Sequence, residues 1–149
     1  MKKEFSLIGL GIASWLGIIS IAYTIRIILV DFFIITNIKF PYIHLSYELF
    51  YNFLFLIGFY LFLNFLKTRK DLNYILLARN WIIVFIVIQI IQFFYTYYIF
   101  DFIIENYHDN WNSFYDYEAG QFVKNLASTI GETLRYLGVG FLIYKFIKD

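Results

Sequence analysis

Cysteine is absent from the 149 residues, and proline occurs once, as Pro41. With no cysteine there is no disulfide, thiolate metal site, thiol redox relay or cysteine nucleophile. The membrane thiol oxidoreductases that are otherwise four-helix bundles of this size are thereby excluded. Charge is also scarce: Asp, Glu, Lys and Arg make up 15% of the chain, against about 25% in average soluble domains. The net charge of +1 gives no reason to expect a nucleic acid as partner. Histidine occurs only as His44 and His108, both expected in outer loops and neither near a serine of an apolar run, so a serine nucleophile would lack its usual base. No long polar tract, linker or internal repeat interrupts the chain.

What is abundant is apolar and aromatic surface, 61% and 24% of residues respectively. A water-soluble chain this short needs a polar skin that this composition cannot supply. A hydrocarbon core of about 30 Å requires roughly 20 apolar residues in a helix. Four stretches qualify, and the sequence predicts an all-α integral membrane protein, an antiparallel four-helix bundle in one domain, residues 1–149. The expected helices are about 5–30, 46–66, 76–104 and 122–146, with an outer loop over 101–121. The fourth is the weakest, because Glu132 and Arg135 lie inside it. Two central charges cost about 5–7 kcal/mol, and its eleven strongly apolar residues return roughly 3–7 kcal/mol. It is expected to insert only beside partners that meet its charges.

The distribution of basic residues sets the expected orientation. With Lys2 and Lys3 inside, the second loop (Lys67, Arg69, Lys70, Arg79) and the C-terminal Lys145 and Lys148 also fall inside, leaving Lys39 and Lys124 outside. That is a positive-inside pattern with both ends in the cytoplasm. Tyr42, Tyr47, Tyr51, Tyr95, Tyr97 and Tyr98 flank the proposed outer face. A rival reading of the first span is a cleaved signal peptide, with Lys2-Lys3 before an apolar stretch and Ser20-Ile21-Ala22 as cleavage site. The apolar run continues to Val30, which suits a span better.

Polar residues inside a membrane face the protein interior or a wet cavity. Arg26 and Glu48 fall at similar depth toward the outer end of adjacent helices, so an outer-leaflet ion pair is expected. The alternative is that Glu48 sits at the interface and Arg26 snorkels outward. Gln89, Gln92 and Thr96 form one polar stripe on the third helix, read as interhelical hydrogen bonding. Glu132 and Arg135 are i, i+3 neighbours near the midplane, with Ser128 one turn above. Gln89 and Gln92 reach a similar depth, which predicts a midplane cluster of Gln89, Gln92, Glu132 and Arg135. It is either a functional centre or a self-neutralised pair fixing helix register. Gly9, Ala13 and Gly17 recur every fourth residue on the first helix, and Ala127, Gly131 and Gly138 share a face of the last. Such small residues permit close helix approach, here expected between first and last helices, with homodimerisation as the alternative.

The outer loop is acidic and aromatic. His108, Asp109, Asp116 and Glu118 lack zinc or EF-hand spacing, so a solvated loop is expected and no metal or cofactor is assigned. The inner loop Lys67-Thr68-Arg69-Lys70-Asp71 is read as a topology determinant, with contact to anionic headgroups as the alternative.

Three function classes follow. An intramembrane enzyme lacks support. An oligomeric small-solute or ion carrier would use the midplane Glu/Arg/Gln cluster. A non-enzymatic accessory or interaction protein, partnered by the bilayer and by another membrane protein or further copies of itself, needs only a stable bundle and one recognition surface. Ala13-Ser14-Trp15-Leu16, the following Arg26, and Phe141-Leu142-Ile143-Tyr144 resemble blocks in the first and last helices of a family of small bacterial four-helix membrane proteins of unknown function. In that family the blocks read Gly-Gly-Trp-Leu and Trp-Ile-Pro-Tyr, so Trp15, Leu16 and Tyr144 match. The resemblance implies a multi-pass protein of the bacterial cytoplasmic membrane and carries no catalytic residues.

Overall fold

The computed structural model describes residues 2–69, 71–116 and 120–148, except for the side chains of residues 2, 3 and 120–123. The described chain is helical throughout: α1 (Lys2–Ile35), α2 (Ile43–Thr68), α3 (Tyr74–Asp116) and α4 (Gly120–Lys148). Three of these, over Glu4–Ile35, Ile43–Thr68 and Tyr74–Asp116, are long and apolar enough to cross a membrane. Their outward faces carry Ile12, Phe53, Ile83, Ile90 and Phe94 exposed. Apolar surface on this scale requires lipid rather than water around it. The chain is a membrane protein.

The helix ends are locally encoded. Thr36-Asn37 closes α1 in a Schellman arrangement. Asn37 takes a left-handed φ of 53°, while Ile38 N donates to Phe33 O and Asn37 N to Ile34 O. Pro41 falls in the following turn, where its missing N–H costs nothing. Asn73 caps α3, its Oδ1 accepting from Leu76 N at 3.1 Å, the usual use of an asparagine before a helix.

Two helix ends differ most from the sequence expectation. Helix α1 runs to Ile35 rather than 30, and Asp31 stays half-buried within it, close enough to Tyr95 of α3 for the two to interact electrostatically. Segment 101–121, expected as an outer loop, is helix as far as Asp116. Ile103, Tyr107, Trp111 and Phe114 recur there at helical steps and pack onto Val30, Ile34, Ile43 and Tyr47. A non-helical Tyr107 (φ −132°, ψ 31°) kinks α3. Lys39 donates to Ser113 across this packed end. Glu118 lies outside the described residues.

Helix α1 packs against α3 and α2, and α2 against α4, giving a neighbour order α3, α1, α2, α4. Contacts rise together along α1 and α3 (Gly17 with Trp81, Ser20 with Gln89). They run oppositely along α1 and α2 (Trp15 with Phe55, Arg26 with Glu48). They rise together again along α2 and α4 (Asn52 with Gly131, Leu56 with Gly138). The apolar core of Leu10, Ile18, Ala22, Phe55, Phe59, Phe62 and Val139 occupies the end opposite Phe114. Polar side chains fill the layer between the two apolar clusters.

Candidate functional site

The inner face of α2 builds this layer. His44, Glu48, Tyr51, Asn52, Phe55, Phe59 and Phe62 share one helix face, and that stripe is polar over its N-terminal half. Arg26 of α1 meets it. Its Nε donates to Glu48 Oε1 at 3.0 Å, and Nη2 donates to the same oxygen. The two side chains are 22% and 12% exposed, and the guanidinium stands 4.9 Å from the Tyr47 ring centroid. The residues expected as an ion pair are thus in contact, and no snorkelling is needed.

Arg135 reaches the same stripe from α4. It is 6% exposed; Nη1 donates to the Tyr51 hydroxyl at 3.2 Å, and the guanidinium lies over Tyr51, Phe55 and Tyr136. The Tyr51 ring centroid is also 5.9 Å from the Arg26 guanidinium, so Tyr51 links the two arginines. Arg135 Nε and Asn52 Oδ1 are buried with no hydrogen-bond partner among the described residues. Asn52 Nδ2 donates to Glu48 O at 2.8 Å.

The expected midplane cluster does not assemble. Gln89 Nε2 donates to Ser20 Oγ at 3.1 Å, and Gln92 Nε2 donates to Ser20 O at 3.1 Å and to Thr24 Oγ1 at 2.8 Å. These bonds tie α3 to α1, whereas Arg135 lies between α4 and α2. Glu132 is on the exposed face of α4, and among the described residues no ion pair joins it to Arg135. The physical reason is rotational. A three-residue step on a helix leaves two side chains adjacent but does not aim them alike, and the aromatic stripe of α2 holds Arg135 inward. Thr96, the end of the α3 polar stripe, is exposed.

The small residues also serve other contacts than expected. A Cβ added at Gly17 would enter the Trp81 ring of α3, and one at Gly131 would stand 2.5 Å from Asn52 Nδ2 of α2. Gly9 has open space beside it, and Ala13 is buried. The described α1–α4 ring contact is Trp15 stacked on Tyr136, with centroids 6.4 Å apart. Large side chains make that contact because the small ones are used toward α3 and α2.

Four residues were not read from sequence as polar contacts: Tyr51 and Tyr95, taken only as flanking aromatics, and Asp31 and Asn52. Their signal was the spacing of polar residues along the stripe of α2 and the match in depth between Asp31 and Tyr95. His44, expected in an outer loop, is instead 1% exposed in the first turn of α2, its Nδ1 2.6 Å from the Tyr47 hydroxyl. His108 and Asp109 are exposed and 3.7 Å apart, and no group of three metal-ligating side chains occurs among the described residues. No family model matches the chain, nor does any curated protein or solved structure.

Proposed function

We propose that the chain is a non-enzymatic accessory or interaction protein of the bacterial cytoplasmic membrane, a four-span bundle with both ends inside. The observation that carries this reading is how the interior polar groups are used. Gln89 and Gln92 bond α1, Arg26 neutralises Glu48, and Arg135 is held by the Tyr51 hydroxyl and by the rings of Tyr51, Phe55 and Tyr136. Each works as interhelical glue of the ordinary kind, which leaves the outer surface to carry recognition. Lys145 and Lys148 in the last turn of α4 favour that end staying inside. The family resemblance in the first and last helices agrees with this layout and adds no activity. An oligomeric carrier is less well supported, because its proposed Glu132, Arg135, Gln89 and Gln92 stand on separate helix pairs.

Purification from native membranes in mild detergent, followed by mass measurement of the intact assembly, tests the proposal. The expected result is a complex containing a second, different membrane protein. An assembly built only from copies of this chain would contradict it and favour transport.

A further inference from the structure

The outward face of α4 differs from those of the other spans. Asn125, Thr129 and Glu132 follow one another at steps of four and three residues, a single helix face, and all three are exposed; Tyr136, one turn further on, already stacks on Trp15 of α1. The Thr129 and Thr133 hydroxyls donate back to Asn125 O and Thr129 O, so they do not neutralise Glu132. Glu132 lies roughly 18 Å from the start of a helix about 43 Å long, close to its midpoint. Helix α4 is the last in the neighbour order and has α2 as its main support, so this face is turned to whatever surrounds the molecule. A carboxylate on a lipid-facing surface at that depth is unfavourable and calls for a partner group.

The charge pattern indicates which kind. Among the described residues, a second copy of the chain offers no cation at matching depth. Arg26 and Arg135 are turned inward, and the exposed Lys67, Arg69, Arg79, Lys145 and Lys148 all lie within two turns of a helix end. We infer that the α4 face centred on Glu132 docks a transmembrane helix of a different protein, one bearing a lysine or arginine near its own midpoint. This rests on the accessory-protein reading above and names its contact surface and the chemistry of its partner.

The probes are leucine-rich transmembrane peptides of about 21 residues with Lys, Leu or Glu at the central position. Each is titrated by energy transfer against the full chain labelled at a Lys148→Cys substitution, in phosphatidylcholine vesicles. The Lys peptide is expected to bind about tenfold more tightly than the Leu peptide. Glu132→Gln should remove that preference, and Glu132→Lys should transfer it to the Glu peptide. Glu132→Asp, which keeps the charge, should retain it. Equal binding of Lys and Leu peptides, or a preference that survives Glu132→Gln, would overturn the inference. So would self-association of the chain without peptide that Glu132→Gln abolishes, since the occupant would then be a second copy. The two proposals fail separately. A heteromeric native assembly with no charge preference in the peptides sinks only the docking face, whereas a native assembly of this chain alone sinks the accessory reading itself.

Discussion

Two arginines are accommodated between apolar helices by different means. Arg26 has a carboxylate on the neighbouring helix, whereas Arg135 has a tyrosine hydroxyl and aromatic faces. Removing one partner of a buried ion pair leaves the other charge uncompensated, which costs more than the intact pair contributes. Arg26→Leu or Glu48→Leu alone should therefore destabilise the purified protein by about 3 kcal/mol, while the double substitution should recover most of that loss. Thermal unfolding of the four proteins in one detergent checks this; additive losses would mean the pair is not coupled. The pairing of Arg26 with Glu48 was legible in the sequence because depth along two adjacent antiparallel helices can be counted. That of Glu132 with Arg135 was misread because the i, i+3 spacing brings two residues close without saying which faces the protein. Arg135 turns inward because Tyr51 and Phe55 wait there, and those belong to another helix.

At the scale of elements, close approach is concentrated where glycine meets a neighbouring side chain. Gly17→Ala would press on the rigid Trp81 ring and Gly131→Ala on the buried Asn52 amide. Each should cost about 1–3 kcal/mol by overpacking. Gly9→Ala, with open space around it, should be neutral or stabilising by up to about 1 kcal/mol through helix propensity. Melting temperatures of the three variants rank them, and a destabilising Gly9→Ala would point to a contact made at that face in the membrane. The existence of the four helices could be read from run length. Their ends were less legible, because Asp31 and the stretch after Asp101 look like chain breaks until Tyr95 and the packed Trp111–Phe114 turn are placed against them. The small-residue stripes pointed to a contact between α1 and α4, whereas Gly17 meets Trp81 of α3 and Gly131 and Gly138 meet Asn52 and Leu56 of α2.

For the molecule as a whole, the account depends on α4 crossing the bilayer. Only then do its buried Arg135 and exposed Glu132 lie in hydrocarbon, and only then does the outward carboxylate require a protein partner. Helix α4 is long enough at about 43 Å, and its two charges are what make its insertion conditional on α2 and on a further neighbour. The absence of native cysteine makes single introduced thiols clean reporters of sidedness. The deciding measurement is labelling of Lys148→Cys in intact cells by a membrane-impermeant maleimide, with Asp71→Cys and Asp109→Cys as references for the inner and outer sides. The account predicts that the thiols at positions 71 and 148 react only after the membrane is opened, while that at 109 reacts at once. Prompt labelling at 148 would place the C-terminal end outside and contradict it.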